Sequence, residues 1–326
     1  MEVQIMAKVF IAGKIPDKAA ALLNATDLTI DMYTDDKLID VTTLKQHIAD
    51  SDFLITPLST AVDRDVLDHA PKLKLIANFG AGTNNIDTAY AKELGIPVTN
   101  TPIVSTVSTA ESTTGLIIGL MHRIAEGDHL MRTTGFNGWA PLFFLGHELQ
   151  GKTLGIIGLG QIGQAVAKRM HAFDMPILYT QRHRLPVSRE VELGAKFVSQ
   201  EELLEKSDVV TLHLPLNEHT KHLLSTKEFS QMKSSALLIN AARGPIIDEV
   251  ALTKALKEHV IAGAALDVYE HEPEVSDELK QMQNVLLTPH LGNATVEARD
   301  AMATIVAKNV IAAASGQPIK YIVNGL

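Results

Sequence analysis

Cysteine is absent from the 326 residues, which excludes disulfide bridges, thiolate metal sites and cysteine nucleophiles and removes any argument for an oxidising compartment. That absence favours a cytoplasmic protein. Long Lys/Arg blocks are missing too, and the formal net charge is -9, so a nucleic-acid backbone would be repelled and nucleic acid is discounted as a partner. No apolar run is long enough to span a bilayer, the most apolar internal stretch being GLIIGLM at 115–121. The start, MEVQIMAKVFIAG, has no basic region leading into a long apolar core. Neither an export signal nor a membrane segment is expected. His147-Glu148 lacks a second histidine at the metalloprotease spacing, and no metal site is assigned.

What the chain does contain is enough apolar residue, 46%, for two ordinary cores. The stretch that organises it is KTLGIIGLGQIGQAVAKRM, 152–170. Leu154, Ile156 and Ile157 read as a buried parallel strand, and Ala165, Val166 and Met170 as the inward face of the following helix. Between them Gly158 permits a tight turn, Gly160 lets backbone approach a pyrophosphate, and Gly163 lets the helix pack close to the strand. The helix start at Gln161 and Ile162 offers free N–H groups to an anion. Glycines at a strand end also occur in plain turns. The strand and helix on either side favour nucleotide binding here.

Before that unit, apolar runs alternate with helix-like segments: KVFIAG (8–13), DLTIDMY (27–33), DFLITPL (52–58), LKLIANF (73–79) and IPVTN (96–100). This spacing argues for βα units and a parallel sheet, a small doubly wound domain. After LKLIANF, Gly80, Ala81 and Gly82 precede a helix beginning near Asp87; taken alone they read first as a plain turn, with an anion-binding concavity of their N–H groups as the alternative. Pro102 marks a crossing between domains, and a single helix is expected from about Ser105 to Met131. The segment after it holds the only tryptophan, Trp139, with Phe143 and Phe144. So apolar a loop either folds onto its own core or packs on another subunit, and the second is favoured.

After the next strand, PILYT (176–180), a dinucleotide site would normally place an acid to accept ribose 2′-hydroxyl hydrogen bonds. This chain reads Thr180, Gln181, Arg182, His183, Arg184 instead, two guanidiniums where a 2′-phosphate would sit. They could also be solvated loop arginines. Inside a GxGxxG unit their placement favours NADP(H), with NAD(H) as the second cofactor. Strands AKFVS (195–199), DVVTLHLPL (208–216), SALLINAARG (235–244), AGAALDV (262–268) and NVLLTPH (284–290) continue the βαβ pattern. The closing helix, about Thr295 to Ala314, carries Met302, Ile305, Val306 and Val310 at helical spacing. The organisation read is α/β, with one domain from 1–102 and 295–326 and a dinucleotide domain, 103–294, inserted before the final helix.

Three of the later strands end in polar groups: Arg243 in NAARGPIIDE, Asp267 with Glu272 in AALDVYEHEP, and His290 in LLTPHLG. Ligands of open α/β sheets bind at such ends. Each residue has a structural alternative: Arg243 could pair with Asp248, Glu272 could be a turn residue before Pro273, and His290 could enter a helix. Together, beside a nucleotide fold, they point to catalysis.

The order GLGQIG, NAARGPIIDE, ALDVYEHEP, LTPH, preceded by GAGTNNID and VTNTP, resembles the D-isomer-specific 2-hydroxyacid dehydrogenases over nearly the whole chain. Within the family it looks closest to glyoxylate/hydroxypyruvate reductases. YTQRHRLP also resembles the matching loop of NAD-dependent formate dehydrogenases, with Gln181 in place of the aspartate; those enzymes carry Gln where this chain has Glu272, which argues against formate oxidation.

The resemblance implies two doubly wound domains, a Rossmann cofactor domain inserted into a flavodoxin-like substrate domain. It implies reduction of a small 2-oxo acid to the D-2-hydroxy acid, with His290 as proton donor, Glu272 favouring its imidazolium, and Arg243 binding carboxylate and carbonyl. It further implies that backbone N–H groups of Ala81 and Gly82, in the turn opened by Gly80, assist Arg243. Asp267 would contact the nicotinamide carboxamide, and Leu214, Pro215, Ala241 and Gly292 would line the cofactor cleft. Leu58 and Phe79, and with them the Trp139 to Phe144 arm, would set substrate size, the first domain would close over the second, and the 105–150 region would form a homodimer. Two other readings stay open: a dinucleotide-sensing, corepressor-like binding protein, and a phosphite-type dehydrogenase using the same Arg/Glu/His set.

Overall fold

In the computed structural model, residues 6–326 are described; the first five, where the stretch inspected for an export signal and the first domain's range both begin, lie outside them. Two units divide the chain, one running to Ser105 and resuming at Thr295–Leu326, the other spanning Thr106–Ala294. The division falls three residues after Pro102.

The first unit's strands are β1 (Lys8–Ile11), β2 (Thr29–Met32), β3 (Phe53–Pro57), β4 (Leu75–Phe79) and β5 (Val98–Thr99), all parallel in the order β2-β1-β3-β4-β5. Side chains alternate across this sheet. Phe10, Leu54 and Ile76 enter one core with Leu44 and Ile48, while Val9, Ile11, Phe53, Ile55 and Leu75 enter the other. With both faces covered, the inner strands β1, β3 and β4 are largely apolar, whereas edge strand β2 has no fully buried residue. The last helix, Val296–Ala314, belongs to this unit because Met302, Val306 and Val310 complete its second core. Asp87 caps the helix Thr88–Glu93 by accepting from Tyr90 N at 2.9 Å.

The second unit holds β6 (Leu154–Ile157), β7 (Ile177–Thr180), β8 (Ala195–Phe197), β9 (Val209–Leu212), β10 (Leu237–Asn240), β11 (Gly263–Leu266) and β12 (Val285–Leu287). They form one parallel sheet, β12-β11-β10-β9-β6-β7-β8, whose order reverses between β6 and β9. This is the Rossmann arrangement.

The single helix expected from Ser105 to Met131 is two, Thr106–Met121 and Ile124–Thr133. Arg123 breaks it, at φ 55. Its guanidinium forks Glu126 (Nε to Oε2, 2.8 Å; Nη2 to Oε1, 2.5 Å) and lies 4.0 Å over the Phe144 ring. The Glu126 pairing is local, three residues on, but the Phe144 ring comes from a segment 21 residues on, beyond the reach of helical periodicity. The first helix keeps Ala110, Leu116, Ile117 and Met121 in the sheet's core; the second buries nothing.

Candidate active site

Because the second sheet is wholly parallel, its strand ends share one edge. At the end of β6, Gly158 sits at φ 94, and a Cβ there would lie 2.5 Å from the His213 carbonyl oxygen. A Cβ on Gly163 would overlap the Gly158 carbonyl. Gly160 differs: a Cβ there would meet nothing within 4 Å. Open space thus faces the first turn of the helix Gln161–His171, whose leading N–H groups lack intrahelical acceptors. Such a cradle suits a pyrophosphate.

Past β7, Gln181 ties this turn down. Its Oε1 accepts from Leu159 N at 2.9 Å and its Nε2 donates to His183 O at 2.6 Å. Arg184 departs from the expectation of two free guanidiniums. It forks Glu190 through Nε and Nη2, both at 2.8 Å, while Tyr179 OH donates to Glu190 Oε1 at 2.6 Å and accepts from Leu185 N at 2.9 Å. The Arg184 hydrogen bonds, then that of Tyr179, hold the Glu190 carboxyl down to about 2. Arg184 is therefore structural. Arg182, exposed, makes only a 3.0 Å hydrogen bond to His183 Nε2.

On the other side of β6, Leu214 and Pro215 follow β9, and Ala241 follows β10. Buried Asn240 shapes the next turn: Nδ2 donates to Arg243 O at 3.0 Å and Oδ1 accepts from Ala242 N at 3.0 Å. A side chain on Gly244 would overlap the Tyr269 backbone, so this turn lies directly against the loop that carries Glu272. Arg243 does not pair with Asp248, which caps a helix through Ala251 N and accepts from Ser225. Its Nη1 donates to Ala242 O at 2.6 Å. Burial pulls the Arg243 pKa below its ordinary value, and the Glu272 charge acts against that fall.

Glu272 does lie in an exposed turn before Pro273, yet both its oxygens are engaged. Oε1 accepts from Tyr269 N at 3.0 Å, and Oε2 lies 2.9 Å from His290 Nδ1. Burial works to raise its pKa, but the His290 hydrogen bond and charge, the Tyr269 N–H and Arg243 outweigh it, leaving the carboxyl below its usual range. His290 stands at φ 54, in the left-handed region, where a side chain persists only if its surroundings fix it. They do so through Asp267. Its Oδ1 accepts from Leu291 N (2.6 Å) and Thr288 Oγ1 (2.6 Å), and its Oδ2 from Gly292 N (2.8 Å). Fully buried Asp267 thus anchors the turn bearing the histidine, an engagement its sequence position did not reveal. Tyr269, pushed up to about 12 chiefly by burial, stays protonated and donates to Thr288 O at 2.8 Å.

In the first unit, a Cβ on Gly80 would overlap the Leu58 side chain, so Leu58 covers the turn of residues 80–82. Phe79 corrects an expectation. Its ring is 4% exposed and packed with Val9, Ile11 and Met302, so it is core and does not bound a substrate pocket. What sits over it is Arg299, half-buried, its guanidinium 5.9 Å from the ring centroid and without a hydrogen bond or ion pair among the described residues. Arg299 was not singled out in the sequence because its helix carries an ordinary apolar stripe. Asn240 left a fainter signal, as a polar residue ending the apolar run LLIN. Among the described residues no cluster of His, Asp or Glu has the makings of a metal site, and no helix is long and apolar enough to cross a membrane.

Residues 114–292 match the family model for the D-isomer specific 2-hydroxyacid dehydrogenase NAD binding domain. A Staphylococcus epidermidis relative, named for the 2-hydroxyacid dehydrogenases, is 54% identical over 319 residues, 98% of this chain and 100% of that one. A glyoxylate reductase from Paecilomyes thermophila superposes with a TM-score of 0.85 at 32% identity, covering 98% of this chain and 99% of its own. An NADPH-dependent glyoxylate/hydroxypyruvate reductase from Sinorhizobium meliloti, solved with NADP and malonate, gives 0.83 at 29% identity, covering 97% and 96%. The NAD-binding unit, with its glycine cradle and its Arg243, Glu272 and His290 on adjoining strand ends, together with full-length likeness to these proteins, makes this chain a member of the D-isomer-specific 2-hydroxyacid dehydrogenase family.

Proposed function

We propose that the protein reduces a small 2-oxo acid, glyoxylate, hydroxypyruvate or a bulkier analogue such as phenylpyruvate, to the D-2-hydroxy acid with NADPH preferred over NADH. The observation that carries this reading is the 2.9 Å contact of His290 Nδ1 with Glu272 beside a largely uncommitted Arg243. The reaction needs a proton at the carbonyl oxygen and a cation for the carboxylate. With Nδ1–H donated to the ionised Glu272, His290 presents Nε2 as the proton-bearing nitrogen. Arg243 holds the carboxylate and polarises the carbonyl, and the N–H groups of Ala81 and Gly82 assist, with Leu58 limiting the substituent. A nicotinamide dinucleotide, when bound, supplies the hydride. Gly158, Gly160, Gln161, Ile162 and Gly163 would hold its pyrophosphate, Gln181 and Arg182 its adenosine end, and Leu214, Pro215, Ala241, Asp267 and Gly292 the remainder.

Loss of NADPH and NADH absorbance with glyoxylate, hydroxypyruvate, pyruvate and phenylpyruvate in parallel tests the assignment. Fast NADPH oxidation by one of them is expected. No turnover with any, alongside tight dinucleotide binding, would move the assignment to a dinucleotide sensor. Arg182→Ala should raise KM for NADPH at least about tenfold, as expected for a lost charge-assisted hydrogen bond, and leave NADH nearly unchanged. Equal effects on the two would sink the phosphate role.

The protein also pairs with a second copy of itself through residues 105–150 in this proposal. Trp139 and Leu142 are each 85% exposed, with Phe136, Phe143 and Leu145 beside them in sequence, an apolar surface that a lone chain would not keep in water. A cavity of about 650 Å³ lined by Met121, Leu145, His147 and Leu286 offers the recess for a partner's aromatic side chain. Sedimentation should give twice the mass of one chain, and Trp139→Glu with Leu142→Glu should halve it; a wild-type monomer at micromolar concentration would refute the dimer.

A further inference from the structure

The turn after β4 has an asymmetry in its hydrogen bonding that bears on substrate binding. Gly80 O accepts from Thr101 N at 2.9 Å, Ala81 O from Asn100 Nδ2 at 2.7 Å, and Gly82 O from Asn78 Nδ2 at 2.6 Å. Three consecutive carbonyls are thus taken up by the protein. The N–H groups of Ala81, Gly82 and Thr83 find no acceptor among the described residues. In a trans peptide the carbonyl and the following N–H point in opposite directions. Fixing each oxygen therefore fixes the next N–H on the opposite side of its peptide plane. Successive free N–H groups make an anion-binding nest.

We infer that Asn100 and Asn78 are positioning residues that orient the N–H groups of residues 81–83 to receive the substrate's carboxylate. This rests on the reductase reading above. The direction of the Asn78 amide is set by its neighbour: Asn85 Nδ2 donates to Asn78 Oδ1 at 3.3 Å and also to Thr60 O at 3.0 Å, leaving the Asn78 NH₂ to face Gly82 O. Asn78 is fully buried, and its amide is bonded at both ends, to Asn85 and to Gly82 O. Asn100 is half-buried and holds Ala81 O with its side chain, a bond within the reach of single substitution. Without it the 81–82 peptide can rotate, turning the Gly82 N–H away from the ligand and a carbonyl oxygen toward it.

Asn100→Asp keeps the shape, removes the donor and sets one oxygen against another. Asn100→Ala removes the donor without adding charge. In both, KM for glyoxylate and the inhibition constant of oxalate against the NADPH-bound enzyme should rise about tenfold or more, the scale of a hydrogen bond to a charged group. Turnover at saturation should stay within about threefold, the dissociation constant of NADPH should be unchanged, and the melting temperature of Asn100→Ala should remain close to wild type, since one part-exposed hydrogen bond is lost. Unchanged KM and oxalate inhibition would overturn the inference. So would a fall in turnover, NADPH affinity and melting temperature together, which marks a purely structural role. Should Asn100→Asp fail to fold, Asn100→Ala decides on the same readouts. A wild-type enzyme that reduces none of the acids and does not bind oxalate would overturn the reductase reading instead, a result distinguishable before any variant is made.

Discussion

His290→Ala is expected to lower turnover at least about a hundredfold, the contribution of a positioned general acid, while NADPH binding stays near wild type. The expectation follows from how much of the fold is spent on this one side chain. Asp267 is buried without a cationic partner and uses both oxygens on the turn from Thr288 to Gly292. Tyr269 OH holds the same turn at Thr288 O, and Tyr269 N aims Glu272 at the imidazole. An unfavourable φ of 54 at His290 is tolerated within this frame.

A residue needed only for packing would not call for such support on a part-exposed ring. His290→Gln, which keeps a polar side chain but cannot carry the proton, should be as slow as the alanine variant. Glu272→Gln should lie between, since the ring stays placed but loses the carboxylate that balances its charge. The pH dependence has a definite sign. Glu272 titrates below its ordinary value in the folded protein, so its carboxylate, and the pair's contribution to stability and rate, persist from neutral pH down past about 4.3 before protonation removes them. A loss of turnover below tenfold in His290→Ala, measured with saturating NADPH, would remove His290 from the chemistry.

Much of this frame is written in the sequence, and the part that is not has a common cause. The strands were legible because parallel strands covered on both faces are continuous apolar runs, as in LITPL and LLIN. The turn was legible because a missing side chain is itself a letter in the sequence: Gly158 takes the tight turn and Gly163 the close packing that their spacing implies, and Gly160 faces open space. Arg243, Glu272 and His290 stood out as polar ends of apolar strands.

What stayed hidden are the pairings. Arg184 looks as free as Arg182 until Glu190, on the following helix, takes its guanidinium. Phe79 sits next to a functional turn yet points into the core, a distinction of strand phase that one residue of register decides. Arg123, where the expected helix breaks, lies under the Phe144 ring from the segment that follows the second helix. In each case the deciding partner lies on another element, and local propensity has no access to it.

Arg243→Ala should cost still more, about a thousandfold or more in kcat/KM, because the guanidinium serves binding and chemistry together. Removing one donor from a developing oxyanion costs about 10² to 10³ in rate, and losing one member of a desolvated charge pair costs about 2–5 kcal/mol in binding. Arg243 is placed for both tasks. Asn240 fixes its backbone from both sides, and the contact of Gly244 with the Tyr269 backbone sets the turn's height.

Only Nη1 is used within the described residues, so the rest of the fork is open to a ligand. Burial disfavours its charge, and the Glu272 carboxylate offsets this only in part. A substrate carboxylate would complete the compensation, which predicts that a bound dianion such as oxalate raises the melting temperature of the wild type and not of the alanine variant. Arg243→Lys should recover a minor share, since an ammonium carries the charge but cannot present two parallel N–H groups to carboxylate and carbonyl. Free guanidinium, added to Arg243→Ala, should restore turnover in proportion to its concentration while leaving His290→Ala unaffected. An alanine variant within tenfold of wild type, or a lysine variant equal to it, would show that the carboxylate is held elsewhere and that point charge alone is sufficient here.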